Sequence, residues 1–383
     1  MPIPSPRASL PLLASVVAVV LSTGFTGTLL PLAVGDAAAA AGVASAHFAG
    51  FLVGAPATGW IIARLGVARA ALLFALGIAL TTVGLVAVGG LPAWMVLRFA
   101  AGICVSGYFV LVESRLNDLA DAATRGRLMA AYLVAFYAAQ AVGASIAGFA
   151  GPDGAVWMLA TLPLPVLGAL PLLAASAPAV PAAGSGTPWP HLLSRAPAAY
   201  ASSFAGGLLL GAFYGLGPVY ATAVGGGAFA SGPFMAAAML GGMVLLGPVG
   251  RGADLGRRER WLTAALAAAA GATVVLTLVP ADDLMMLAIA GALLGASAFT
   301  LYPLASGCVN DAVCAEERLA ANALLLLLSA SGSCVGPILA GWAMEHLGAG
   351  RFLLPAAAAC IVASSAVIRT RPWPVPRSAS RPA

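Results

Sequence analysis

The sequence predicts an all-α integral membrane protein of about twelve transmembrane helices, arranged as two pseudo-symmetric bundles of six. Three observations predict it. Of the 383 residues, 61% are hydrophobic and only 8% are charged, and the mean hydropathy is +0.99, far outside the composition of soluble domains. The apolar residues gather into runs of about 20, the length that crosses a ~30 Å hydrocarbon core at 1.5 Å per residue. Finally, the basic residues fall in alternate loops, as the positive-inside rule requires of a multi-pass chain.

Taken in order, the runs span 10–34, 43–63, 70–89, 94–114, 128–150, 154–175, 198–222, 229–249, 261–279, 284–308, 320–344 and 352–368. The first, preceded by Arg7, has an apolar core too long for a cleaved signal peptide, and eleven further spans follow it. All are apolar on every side rather than alternating, which excludes barrel strands and leaves helices. Gly, Ala and Ser dominate them, the composition that lets helices approach closely in lipid.

All 18 basic residues are arginine. On this topology all but Arg98 and Arg351 lie on one side, in the N-terminus, every second loop and the tail. That side is expected to be cytoplasmic, with both termini inside, in a bacterial inner membrane. The net charge of +5 therefore reflects topology, and no basic run with interleaved aromatics points to nucleic acid. The cysteines Cys104, Cys308, Cys314, Cys334 and Cys360 lack paired spacing, and His47, His191 and His346 are not spaced as ligands. Free thiols, no metal and no cofactor are expected.

A Pro/Gly/Ser-rich stretch at 174–197 divides the chain. The expected organisation is a bundle at 1–175, a cytoplasmic linker at 176–197, a second bundle at 198–368 and a cytoplasmic tail at 369–383. Shifting the first half by 193 aligns Gly102 with Gly295, Asn117 with Asn310, Asp118 with Asp311, Arg125 with Arg318, Gly143 with Gly336 and Gly148 with Gly341. The first spans align with a shift of 187, Gly24 on Gly211 and Pro31 on Pro218. This is the signature of a parallel internal repeat.

Two such repeats resemble the major facilitator superfamily (MFS). The segments running from Leu97 to Gly143, Gly211 to Ala221 and Leu301 to Gly341 resemble more narrowly its bacterial YcaD-like carriers. The resemblance implies the MFS fold and secondary transport of a small molecule. The superfamily's loop motif Gly-x-Leu-x-Asp-Arg-x-Gly-Arg-Arg appears as GWIIARLGVAR, with Gly59, Arg64 and Gly66 matching but Ala63 where the acid belongs. In the repeat copy, GRGADLGRR, Asp254 is present with Arg257 following, but the motif is one residue short before Gly256. In the family this motif holds the cytoplasmic side closed. Arg98 and Gly102 also match its span-4 Arg-x-x-x-Gly, which the family links to proton-coupled exchange.

The candidate cavity residues follow from helix faces and intramembrane polarity. Arg98 sits about one turn inside span 4; a charge there faces a cavity or partner, unless it snorkels to the headgroups. Ser106, Phe109 and Glu113 lie within ~80° of it on the helix. Tyr132, Phe136 and Gln140 share a face of span 5. Tyr214 in span 7, Asn322 in span 11 and His47 near the outer mouth complete the set. Aromatics with a few amides suit a small, partly apolar organic solute. The candidate gate residues are Arg64, Glu113, Asp118, Arg125, Arg127, Asp254, Arg257, Asp311 and Arg318. Of these, Glu113 is expected to meet Arg64, Arg69 or Arg127, with proton carriage as its alternative role. Arg125 and Arg127 are expected beside Asp254 when the cytoplasmic side closes.

With no lysine in the chain no phosphate-binding loop of the Walker type exists, so transport driven by its own ATPase is excluded. No nucleophile triad or carboxylate pair points to an enzyme. These features point to a secondary transporter of a small organic solute working by alternating access, directed towards efflux, with the proton as candidate coupling ion, acting as a monomer in the lipid bilayer. The alternative is a transport-inactive membrane sensor or receptor, which an appended domain or long tail would favour; only 369–383 follow the last span here.

Overall fold

The computed structural model describes residues 6–120, 124–151, 154, 156–173, 188–225, 227–280 and 282–370. The first half comprises α1 (Pro6–Val34), α2 (Ala37–Leu65), α3 (Val67–Ala87), α4 (Leu91–Leu119), α5 (Arg125–Ala150), α6 (Trp157–Ala160) and α7 (Pro163–Leu173). A short α8 (Trp189–Arg195) precedes the second half, α9 (Pro197–Val224), α10 (Ser231–Asp254), α11 (Arg258–Thr277), α12 (Leu284–Ala312), α13 (Arg318–Leu347) and α14 (Leu354–Arg369).

Eleven segments among the described residues are long and apolar enough to cross a membrane, and the shorter Trp157–Leu173 makes a twelfth. That sixth span departs from the single run expected at 154–175. It breaks between α6 and α7 at Thr161 and Leu162 because Pro163 has no N–H to continue the ladder and disfavours helical backbone in the residue before it. Several helices begin before their apolar runs, α2 at 37 against 43, α3 at 67 against 70 and α4 at 91 against 94, and among the described residues two helix starts carry side-chain caps. Asp36 caps α2, its Oδ1 accepting from Ala39 N at 2.7 Å, and Asp283 caps α12 through Met286 N at 2.9 Å.

The two halves repeat one packing plan. In the first, α1 packs on α5 and α7, α2 on α4, and α3 on α4 and α7; in the second, α9 packs on α13 and α14, α10 on α12, and α11 on α12 and α14. Moving α4 along the chain by 193 reproduces the limits of α12. A methyl on Gly143 would run into Leu21 O and Phe25 N, and one on Gly336 into Leu208 O and Ala212 N. Those neighbours differ by 187 while the glycines differ by 193, so both sequence shifts meet in one pair of contacts. Only glycine permits such backbone approach.

Between the halves α2 packs against α13 and α5 against α10. With twelve crossings, α1 starts and α14 ends on the same side, here the terminal face. The linker expected at 176–197 lies outside the described residues except for its last part, where α8 is tied to the start of α13 by His191 Nε2 and Glu317 Oε1 at 3.2 Å. Hydrogen bonding from Cys314 holds the Glu317 carboxyl below the usual carboxylate range. All five cysteines are free.

Candidate functional site

A cavity of about 260 Å³ lies between the halves near mid-depth. Most of its polar lining comes from the first half: Thr23 and Thr28 on α1, His47 on α2, Arg98 on α4 and Gln140 on α5. The second half adds Tyr214, Gly215 and Met235. Helix geometry explains the membership. Phe109 follows Arg98 by eleven residues, about 20° around α4 at 100° per residue, whereas Ser106 stands ~80° away. Phe109 therefore shares the cavity with Arg98, while Ser106 is buried at 1% exposure inside the first half.

Arg98 is 9% exposed, and its Nε has no hydrogen-bond partner. The guanidinium thus does not snorkel to the membrane surface. His47 Nδ1 lies 3.3 Å from Arg98 O. A carbonyl oxygen only accepts, so this nitrogen carries the hydrogen and Nε2 of the neutral ring is an acceptor.

The barriers above and below the cavity differ in kind. On the face opposite the termini, backbones meet closely: a methyl on Gly148 of α5 would lie 2.7 Å from Gly232 N of α10, and one on Gly341 of α13 would lie 3.2 Å from Ala37 O and 2.9 Å from the Ala41 methyl of α2. Phe149 and Phe229 add a ring contact at 5.0 Å. Towards the terminal face the cavity meets a layer of rings instead. Phe109 and Phe136 are 5.5 Å apart, Phe136 and Tyr137 5.5 Å, and Tyr137 reaches across to Phe299 at 4.9 Å. Tyr214 stands 6.2 Å from Phe299.

Below that layer Glu113 is solvent-exposed, and its Oε1 accepts from the Tyr132 hydroxyl at 2.7 Å. The carboxylate thus meets a tyrosine of α5 where an arginine contact was expected. Arg64 projects from the end of α2 with its guanidinium carbon 4.6 Å from the Trp60 ring centroid.

The other gate candidates form no single cluster in this state. Asp118 pairs with Arg115 at 3.2 Å. Asp254 pairs with Arg258 at 2.8 Å, and Arg258 also bridges to Asp311 at 2.6 Å. The sequence reading overlooked Arg258 and favoured Arg257, which takes a left-handed φ of 63° at the helix start. The missing residue before Gly256 accounts for this: it brings the second arginine of the pair into register with the acids. Arg318 and Asn322 line a separate cleft of about 710 Å³ with Asp254, Arg258 and Asp311. Asn322 Nδ2 donates to Asn310 Oδ1 at 2.7 Å, and Ser306 Oγ donates to Asn322 Oδ1 at 2.7 Å. Arg127 is exposed at the start of α5; the side chain of Arg125 lies outside the described residues.

His47, Arg98, Phe109, Phe136, Gln140 and Tyr214 are therefore brought together, and Ser106, Tyr132 and Asn322 are not. Asn322 is four residues into α13, ~6 Å from its start, too shallow to reach mid-depth. Phe48, Phe51 and Met235 also line the cavity without having been singled out. Phe48 and Phe51 flank His47 on α2, and that proximity was the available signal.

A twelve-helix repeat enclosing a central cavity defines a membrane transporter of the MFS type. The sequence model of the Major Facilitator Superfamily matches residues 12–337, and the chain belongs to that family. It is 30% identical over 347 residues to an MFS-type transporter YcaD of Salmonella arizonae, covering 88% of each chain. With YcaD of Escherichia fergusonii it shares 29% over 312 residues, 79% of each. Among solved structures, a D323A mutant of the nucleoside transporter NupG superposes with a TM-score of 0.77 at 15% identity, covering 95% of this chain and 100% of that one. A D-xylose-proton symporter gives 0.74 at 14%, covering 96% and 99%. At such identities these structures establish the fold alone.

Proposed function

We propose that the chain is a secondary active transporter that moves a small organic solute across a bacterial inner membrane by alternating access. Residues 1–175 and 198–368 are the rocking bundles, 176–197 the cytoplasmic linker and 369–383 the cytoplasmic tail, and the monomer is the working unit. The terminal face is then cytoplasmic, in keeping with its arginines. The direction is efflux, coupled to protons, with Glu113 the acid best situated for that role: it is exposed below the ring layer and hydrogen-bonded by Tyr132.

The observation that carries the reading is the mid-depth cavity closed by backbone packing on one face and by side chains on the other. Ring rotation opens the second barrier, whereas the first opens only if the bundles separate, and such alternation moves a solute. A solute-panel uptake assay in proteoliposomes, with and without a pH gradient, tests this. Movement of at least one solute, driven by the gradient, is expected. Movement insensitive to the gradient removes proton coupling, and binding without movement makes the chain a sensor. Single cysteines at 280–283 should label from outside and those at 184–187 from inside; the reverse pattern overturns the orientation.

A further inference from the structure

We propose that the solute is a small organic monoanion of the carboxylate class, its charge held by Arg98 and its apolar body by the ring wall of the cavity. This rests on the transporter reading and names the substrate class of the same site.

Arg98 lacks a counter-charge. Arg98 is more than nine-tenths buried, its Nε lacks an acceptor, and its side chain lines the cavity. Among the described residues no acidic side chain lines that cavity, and Arg98 joins no ion pair. Cations buried within a membrane protein are costly unless a partner or a wet cavity compensates them. A purely structural role would need the neighbouring hydroxyls to satisfy the guanidinium. Thr81 and Thr82, beside it on α3, donate to Gly77 O and Ile78 O within their own helix, and neither hydroxyl accepts a hydrogen bond from Arg98. Thr28 Oγ1, in the cavity wall, also lacks a partner.

The rest of the lining narrows the ligand. One guanidinium balances one negative charge, so a dianionic phosphate ester would carry a second charge uncompensated into an apolar space. In its neutral form His47 does not supply that balance, because with Nδ1–H on Arg98 O it presents a lone pair at Nε2. The planar fork of Arg matches a carboxylate through two parallel hydrogen bonds. Phe48, Phe51, Phe109, Phe136 and Tyr214 give the body of the ligand an aromatic or aliphatic surface, and the volume of about 260 Å³ keeps it small.

The test uses the purified full chain and three matched series on phenyl, naphthyl and phenylpropyl skeletons: the carboxylate, its primary amide and the corresponding amine. Affinities are read from thermal stabilisation against concentration. At least one carboxylate should bind roughly tenfold to a hundredfold tighter than the amide of the same skeleton, the range of a charge-assisted hydrogen bond, and no amine should bind. Arg98→Gln should erase that preference, the carboxylate binding no tighter than its own amide, and Arg98→Lys should restore part of it. The proposal falls if no carboxylate binds, if amides or amines bind as tightly, or if the preference survives Arg98→Gln. Should Arg98→Gln fail to fold, the matched series on the unaltered chain decides alone. Counterflow in proteoliposomes separates this from the transporter reading. Exchange of neutral solutes with no carboxylate preference sinks the anion assignment only, and carboxylate binding without exchange sinks transport only.

Discussion

In the first half, Arg98, His47 and Gln140 turn into the cavity; at the same repeat positions the second half carries Gly291, Leu240 and Ser333. Gly291 lies against the Phe234 ring, Leu240 is 48% exposed on the outer surface of α10, and Ser333 Oγ donates to Gly207 O and Ser329 O at 3.2 Å. Each counterpart serves packing or its own helix. The glycines of the close helix contacts, by contrast, occur in both halves. Duplication has kept the backbone plan, whose steric demands leave no substitute for glycine, while ligand chemistry has gathered on one side. Among the described residues, the ion pairs of the second half lie at the terminal face, where Arg258 ties Asp254 to Asp311.

The largest effect should separate Arg98 from Ser333. Arg98→Ala should lower transport by about a hundredfold or more, equivalent to losing two charge-assisted hydrogen bonds, in a protein that still inserts. Ser333→Ala should stay within about threefold, because its bonds go to backbone carbonyls. Equal losses in counterflow would erase the asymmetry of the halves.

Next come the shared glycines, where both halves should respond alike. Gly148→Leu and Gly341→Leu each place a side chain in the sealed face, an overpacking cost of about 1–3 kcal/mol. Each should raise labelling of a cysteine at position 48 by an impermeant maleimide from that face, by roughly tenfold. A response from only one would show that a single seam carries the seal.

A smaller change is expected at the ring layer. Tyr137→Ala removes the contact across to Phe299 and should raise labelling of a cysteine at position 214 from the terminal face by about threefold, in line with ~0.5–1.5 kcal/mol for an aromatic pair. Unchanged labelling would mean that the layer is no barrier.

The smallest effects should be at the ion pairs. Asp311→Asn should cost ~0.5–1 kcal/mol in thermal unfolding, and Asp118→Asn no more than ~0.5 kcal/mol, since both carboxylates are exposed to water, 57% and 44%. A larger cost for Asp118 would reverse the contrast between the halves.

The repeat, the twelve spans and the face of α4 bearing Arg98 and Phe109 were legible because each rests on spacing along one helix. The break in the sixth span was also written in Pro163, but an apolar window averages over it. What stayed hidden depends on depth and on neighbouring helices. Asn322 shares a face with Ser329 and Ser333 but sits too near the helix start, and Tyr132 is turned from the cavity by its bond to Glu113. Arg258 was obscured by a one-residue shift in the loop before it.

The seam opposite the termini has a consequence for how the protein senses its solvent. Gly148, Gly232, Gly341 and Ala41 meet there without charge, and Asp36 nearby is spent on capping its own helix. The terminal face, in contrast, carries exposed Asp254, Asp311, Arg127 and Arg318. Added electrolyte screens exposed charges beyond a Debye length of ~8–10 Å at physiological strength and leaves apposed glycines indifferent. Added salt therefore loosens the ion pairs of the terminal face, the Asp254–Arg258–Asp311 bridge among them, and leaves the glycine contacts of the seam untouched, even though Asp36, Asp282, Glu345 and Arg351 are exposed on that same side.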